Sequence, residues 1–366
     1  MPPTAPGKRR RNVTDPDSKQ KFGPVWQPSS GNTVPKLHRQ RIDQHRQEIA
    51  AILEGRDRQR LLLVVGPCVA WPFAAVVNYC KRLKKLEAVV RPRIKIVVRV
   101  FTQKSRTVLG WGGPFFQPDP WGAPDIAGGI AYTRSLYAAV TQLGLAIGSE
   151  IVSTHSIPLI SDYLSWVAIG ARSSESPEHR VLASDINLPV GIKNPTSGSI
   201  EHGVNGVVVV RHPHSWLFFG QHHMTRGNSL AHLVLRGGKL TGPNYSSHHV
   251  RAAVRFARSH GVARCPILID ASHDNCTVNH RRDYRMQIHV IEKTLQSMAA
   301  NHTVAETVRG FLLESFLRGG AIELPVGAQS RRANSGISVM DPCLGWADTA
   351  ATIRRIYDVR SGNGSI

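Results

Sequence analysis

Eight short apolar runs, each carrying a charged or reactive side chain at or near its end, constrain this chain more than any other feature. They are LLLVVGPC (61–68), IKIVVRVF (94–101), LAIGSEIV (145–152), WVAIGAR (166–172), LPVGIKN (188–194), HLVLRGG (232–238), ILIDASH (267–273) and VRGFLLES (308–315). Between them lie longer stretches with helical spacing of apolar residues, such as Pro72 to Leu86, Ile130 to Leu143, His249 to His260 and Ile288 to Met298. Apolar runs without alternation suit strands buried on both faces, and the repeated order strand, loop, helix suits a parallel sheet. Eight such units in about 300 residues fit a closed (β/α)8 TIM barrel better than an open doubly wound sheet.

The polar tips of the runs are Cys68, Arg99, Glu150, Arg172, Lys193, Arg236, His273 and Glu314. A core strand gains nothing from a charge at its tip, because burying an unpaired charge is costly, so eight in a row need a common explanation. In a TIM barrel all eight tips meet at the C-terminal face, where active sites are built. Arg99, Arg172, Lys193 and Arg236, joined by Lys104 and Arg106 from the loop after the second run, form a cationic set suited to phosphate and carboxylate. Cys68, His273 and Glu314, joined by Asp341 in VMDPCLGW, form a mixed sulfur, nitrogen and oxygen set. Such a set suits a divalent first-row metal, Mn, Fe, Co or Zn, better than Mg. A metal beside phosphate-binding arginines implies Lewis-acid chemistry on a phosphorylated carbonyl compound.

Charge points the same way. Lys and Arg outnumber Asp and Glu by 46 to 25, giving +21, so the partner or substrate is expected to be anionic. Residues 1–35 are rich in Pro, Lys, Arg, Ser and Asn, and read as a flexible basic arm ahead of a single catalytic domain over 36–360. From Leu37 to Glu54 the spacing of Ile42, Ile49, Ile52 and Leu53 predicts an amphipathic helix. The segment VNGVVVVRHPHSWLFFG (204–220), within an insert over about 200–230, reads as an inserted β-hairpin. Five scattered cysteines without a CxxC pair argue against a disulfide framework and a structural zinc site, and favour a reducing cytoplasm. No export signal or membrane-spanning run is visible.

A set of local motifs, in order and in register, then resembles one family. GPC (66–68), RVFTQKSRT (99–107), GWGG (110–113), SWVAIGARSSES (165–176), HRVLAS (179–184), PVGIKN (189–194), LRGGKLTGPNYS (235–246), LIDASHDN (268–275), LLES (312–315) and DPCLGWADT (341–349) resemble the type I 3-deoxy-D-arabino-heptulosonate 7-phosphate (DAHP) synthases. The resemblance implies condensation of phosphoenolpyruvate with erythrose 4-phosphate, the entry step of the shikimate pathway, on a TIM barrel with a divalent metal, Mn being the first choice. By position it implies Cys68, His273, Glu314 and Asp341 as metal ligands. Arg99, Lys104, Arg172, Lys193 and Arg236, with Glu150 nearby, fall on the phosphoenolpyruvate site. Arg106 and Thr107 fall on the erythrose 4-phosphate site. Lys104, His273 and Cys68 would then carry the catalysis, and a homo-oligomer, dimer or tetramer, is expected.

Three departures lie close to that chemistry. Where the family has Ser-Ile-His-Asp after GPC, this chain has Val69-Ala70-Trp71-Pro72; Lys-Pro-Arg-Thr becomes Lys104-Ser105-Arg106-Thr107; Glu-Ser-His-Leu becomes Glu314-Ser315-Phe316-Leu317. Losing residues that support a metal shell commonly costs roughly 10–100-fold in affinity or activity. A specialised-metabolism copy is therefore one reading, and a synthase for another phosphorylated aldose or a low-activity regulatory paralogue are alternatives. The segment 200–230 resembles the family poorly, so weak or absent feedback by Phe, Tyr or Trp is expected. Cys80, Cys265, Cys276 and Cys343 read as core residues, and the histidines at 212, 214, 222 and 223 fit no standard metal spacing. Nucleic-acid binding through the basic surface is the alternative of another class. Against it, basic residues are not interleaved with aromatics as single-strand binders require.

Overall fold

The computed structural model describes residues 34–218, 221–279, 281–322 and 336–364. Most of the expected basic arm, residues 1–33, lies outside the described residues. Twelve strands are described: β1 (Leu61–Gly66), β2 (Ile94–Arg99), β3 (Ala146–Ile151), β4 (Trp166–Ile169), β5 (Val190–Lys193), β6 (Ser215–Phe218), β7 (Gln221–Met224), β8 (His232–Leu235), β9 (Ile267–Asp270), β10 (Thr277–Val278), β11 (Arg281–Arg282) and β12 (Val308–Glu314). Eight of them close into a barrel in the order β1-β12-β9-β8-β5-β4-β3-β2, every pairing parallel. These are the eight runs of the sequence, and the architecture is a (β/α)8 barrel.

Alternation along the strands sorts their side chains. One set (Leu62 and Val64 on β1, Val97 on β2, Trp166 and Ala168 on β4, Val234, Leu268 and Leu312) packs as a single cluster inside the ring. The other set packs outward against the helices in the main core. Two residues further along the inward set come Arg99, Arg236, Asp270 and Glu314, so the period of two carries charge to one rim of the barrel.

The helices are α1 (Lys36–Leu53), α2 (Phe73–Val90), α3 (Ile126–Gln142), α4 (Ile157–Ile160), α5 (Pro177–Asp185), α6 (Ile200–Arg211), α7 (Ser247–Ser259), α8 (Met286–Ala300), α9 (His302–Thr307) and α10 (Trp346–Ser361). Helix α1 plugs the N-terminal mouth: its Ile49, Ile52 and Leu53 belong to the same cluster as the barrel interior. Its polar edge also engages the barrel, since Lys95 near the start of β2 reaches His45 Nδ1 at 2.8 Å and Glu48 Oε2 at 2.6 Å. None of the described helices is long and apolar enough to cross a membrane.

The inserted hairpin is shorter than the sequence predicts. Residues 200–211, including VNGVVVV, are the helix α6, and the hairpin is β6 with β7, antiparallel from Ser215↔Met224 to Phe218↔Gln221. The valines favour a strand in isolation, but Val204, Val207 and Val210 recur at helical spacing and bury fully against the barrel, and tertiary packing overrides propensity. Gly203 and Gly206 permit the close approach: a Cβ there would lie 2.8 Å from Leu233 Cδ1 and 2.8 Å from Ile192 Cγ2 respectively.

Candidate active site

Each charged member of the rim sits at the end of its strand because the strand's own alternation aims it there. Arg99 closes β2, Lys193 closes β5, Asp270 closes β9 and Glu314 closes β12, while Glu150 is the last residue but one of β3. Arg236 follows β8 directly, and Cys68, Arg172 and His273 lie two or three residues past β1, β4 and β9. Gly170, just past β4, makes room for Glu150: a Cβ there would stand 2.6 Å from Glu150 Oε1.

The buried charges interlock. Arg99 Nη2 donates to Glu314 Oε1 at 2.8 Å, Lys193 Nζ is 3.1 Å from Asp270 Oδ2 and 4.0 Å from Glu150 Oε2, and Arg236 Nη1 donates to Asp274 Oδ2 at 2.5 Å. Arg99 is wholly buried and stacks over Phe101 at 4.2 Å, yet its Nε and Nη1 have no partner among the described residues. Two unused guanidinium donors aimed into a buried cationic site are what a phosphate or carboxylate would satisfy. Burial alone would push the Asp270 carboxyl up, but His273 and Lys193 outweigh it and hold the group well below the usual carboxylate range. The same balance holds Glu150 low: burial opposes its charge, and Lys104, Lys193 and Arg99 overcome it. For Lys104 burial works against the ammonium, and the field of Cys68, Glu150 and Glu314 raises it above its ordinary value.

Three of the four predicted ligands come together: donor atoms of Cys68, Glu314 and Asp341 all lie within 4.8 Å of one another, with Cys68 Sγ 3.7 Å from Asp341 Oδ2. His273 stands at the edge of this group, its Nε2 3.7 Å from Glu314 Oε1, and it is not a member of the three-residue cluster. Its Nδ1 hydrogen-bonds with Ser272 Oγ at 2.7 Å and lies 2.9 Å from the Asp270 carboxylate, which together orient the ring and leave Nε2 toward the carboxylates, the usual way an imidazole is prepared for a metal. His273 holds φ of 59°, a conformation uncommon for a residue with a side chain. Burial pushes the Cys68 thiol well above its usual range and Glu314 adds to this. A bound divalent cation reverses that logic, since a coordinating thiol loses its proton. The set therefore fits a metal ion in donor chemistry.

The predicted acceptor residues Arg106 and Thr107 lie farther out and are exposed. Arg172, expected at the phosphoenolpyruvate site, is exposed as well, and its Nε donates to Thr107 Oγ1 at 2.7 Å, tying the loop after β2 to the loop after β4. Arg106 and Asp341 line one cleft of about 830 Å³ together with Trp111, Tyr284 and Met340. The departures follow different patterns. Trp71 packs edge-on against Trp111 at 5.9 Å and Trp121 at 5.6 Å and donates to the Pro118 carbonyl, so it braces the cleft's wall. Phe316 is fully buried against Tyr79, in the same core cluster as Cys68. Sequence reasoning passed over Asp270 and Asp274. Asp270 carries the same signal as the other tips, an acid ending a buried run, but His273 three residues on masks it by ending the same motif. The histidines of the hairpin region bond elsewhere: His212 Nδ1 to the Val208 carbonyl, His214 Nε2 to the Val209 carbonyl and His222 Nε2 to Ser215 Oγ. All five cysteines are buried and free.

A family model described as the DAHP synthetase I family matches residues 37–354. The chain belongs to that family. Among curated relatives, the chain resembles the Trp-sensitive phospho-2-dehydro-3-deoxyheptonate aldolase of Escherichia coli, 34% identical over 320 residues, 86% of this chain and 88% of the relative. A Corynebacterium glutamicum protein named phospho-2-dehydro-3-deoxyheptonate aldolase is 35% identical over 326 residues, 86% of this chain and 85% of the relative. A solved phospho-2-dehydro-3-deoxyheptonate aldolase from Francisella tularensis superposes with a TM-score of 0.84 at 28% identity, covering 94% of this chain and 99% of that one. The chain is therefore an enzyme.

Proposed function

We propose that the chain condenses phosphoenolpyruvate with erythrose 4-phosphate and water, giving DAHP and phosphate, at the C-terminal rim of the barrel. The observation that carries the proposal is the juxtaposition of a buried cationic floor, Arg99, Lys193 and Arg236, with the Cys68, Glu314 and Asp341 group. Those cations, with Lys104 and Arg172, take the phosphate and carboxylate of phosphoenolpyruvate and fix its C3 facing the rim. Arg106 and Thr107 at the mouth take the phosphate of the aldose, which places the aldehyde carbon between the two sets. C3 then bonds to that carbon, water adds at C2, and the C–O bond to phosphate breaks. Holding the partners in this geometry is worth up to about 7–11 kcal/mol of the barrier in well-oriented cases. Lys104, kept cationic, hydrogen-bonds to charge developing between the two substrates. Cys68, His273, Glu314 and Asp341 would hold a divalent ion, Mn first, which supplies Lewis acidity toward the aldehyde oxygen.

Five buried, free thiols support a reducing, cytoplasmic setting. Exposed Leu217 and Met224 on the hairpin support assembly as a homo-oligomer. The decisive experiment is phosphate release from phosphoenolpyruvate with erythrose 4-phosphate against arabinose 5-phosphate, with Mn and with a chelator. Release with erythrose 4-phosphate that the chelator abolishes is expected; release indifferent to chelator, or seen only with arabinose 5-phosphate, contradicts the proposal. Adding Phe, Tyr or Trp to the same assay is expected to leave the rate nearly unchanged.

A further inference from the structure

At the opposite end of the barrel from the site just described, a cavity of about 270 Å³ lies among Leu53, Pro266, Thr303, Arg258, Arg264 and Arg309. Pro266 and Arg309 stand at the starts of β9 and β12, so this is the N-terminal face. Arg309 is buried, and it sits where the register of β12 against β9 shifts between Val308 and Gly310. A bulge re-aims the side chain it carries, and here it turns an arginine off the ladder toward the cavity.

Arg309 and Arg264 converge over Gly55. A Cβ at that position would lie 2.8 Å from Arg264 Nη2 and 3.0 Å from Arg309 Nη2, and the φ of 72° also favours glycine. The hydrogen bonds of the pair go to backbone: Arg264 Nη1 donates to the Glu54 carbonyl at 2.9 Å and Arg309 Nη2 to the Glu306 carbonyl at 2.7 Å. Carbonyls satisfy donors but do not neutralise charge. The Glu306 carboxylate, the one acid lining the cavity, is paired with Arg58 at 3.3 Å, and the Glu54 carboxylate is taken by Arg56. Arg360 adds a further cation, donating to the Arg58 carbonyl at 2.8 Å, with its Nε buried and without a partner among the described residues. Burial depresses the Arg309 guanidinium, Glu306 opposes this, and Arg264, Arg58 and Arg360 depress it further.

We propose that this cavity is a second anion site, binding a small multiply charged phosphate-type ligand between the Arg264 and Arg309 guanidiniums, remote from the catalytic rim. Arginine forks match phosphate oxygens, and the volume admits a phosphate-sized ligand while excluding a nucleic-acid duplex. Part of the +21 charge, which the catalytic rim leaves unused, then has a ligand of its own.

The test is calorimetric titration of inorganic phosphate into the full chain, alone and saturated with phosphoenolpyruvate and a non-reacting analogue of erythrose 4-phosphate, so that both phosphate positions of the catalytic site are filled. One phosphate site per chain is expected to persist under saturation. Its affinity should fall at least about tenfold in Arg264→Gln, the loss expected for a hydrogen bond to a charged group. Turnover should be unchanged in that variant. Arg264 is exposed, so the variant should fold; Arg309→Lys, which keeps the charge and loses the fork, should weaken binding as well. No residual phosphate site, or equal affinity in Arg264→Gln, overturns the proposal. So does random single-stranded DNA binding that Arg264→Gln weakens while phosphate does not bind. Phosphoenolpyruvate that fails to bind counts against the proposed function instead, because the comparison of Arg264→Gln with wild type needs no filled catalytic site.

Discussion

Single side chains decide most of the chemistry here, and Asp270 is the one on which most converges. It lies within ion-pair distance of His273 Nδ1 at 2.9 Å and Lys193 Nζ at 3.1 Å, and it accepts hydrogen bonds from both the amide and hydroxyl of Ser272. Asp270→Asn keeps the shape and removes the charge, so kcat/KM and metal affinity should each fall by about 10–100-fold while circular dichroism stays native. Unchanged metal affinity would mean that His273 is not prepared for a metal. A second residue-scale consequence concerns pH. Burial and the neighbouring Lys95 lower the pKa of His45 from 6.5 to about 3. A folded-state pKa below the unfolded one means that protonation favours unfolding, so this stability is complete above pH 6.5 and is lost as pH falls toward 3. Glu48, held low against its burial by Lys95, loses stability in the same direction below its ordinary value of 4.5. Urea midpoints measured from pH 7 to 4 should therefore decline, and His45→Gln should flatten the decline by up to one proton. The tips of the runs were legible in the sequence because charge ending an apolar run is costly and needs a reason. Their pairing was not, since Lys193, Asp270 and His273 meet only across strands.

At the level of elements, strands buried on both faces announce themselves as unbroken apolar runs, which is why all eight barrel strands could be read in order. Helix α6 could not, because its valines carry a strand's propensity and become a helix only by packing against β5 and β8, where Gly203 and Gly206 permit the close approach. Helix α1 was visible as an amphipathic segment, but its function as the plug of the barrel depends on which cavity receives Ile49, Ile52 and Leu53. Ile52→Ala should cost about 2–5 kcal/mol in denaturant unfolding, the range for a buried aliphatic truncated in a core that cannot collapse. Turnover per folded molecule should barely change, since the plug lies at the end away from the rim. A large drop in kcat without a drop in stability would show that α1 acts on the site rather than on the fold.

For the molecule as a whole, depth sets order. On the proposed roles, the phosphoenolpyruvate cations Arg99, Lys193 and Arg236 are buried, whereas the aldose residues Arg106 and Thr107 are exposed at the rim. An acceptor bound first would obstruct the floor, so phosphoenolpyruvate should bind before the aldose. A non-reacting analogue of erythrose 4-phosphate should then inhibit competitively against the aldose and uncompetitively against phosphoenolpyruvate; mixed inhibition against both would rule out that order. The ring itself has a further consequence, for synthesis. Its closure pairs β1 with β12, Leu62↔Gly310 through Gly66↔Glu314, so the first and last barrel strands must meet. At elongation rates of about 5–20 residues per second, the edge of β1 waits on the order of tens of seconds for its partner to leave the ribosome. During that interval the nascent chain exposes an apolar strand edge that only a chaperone, or the eventual arrival of β12, can cover.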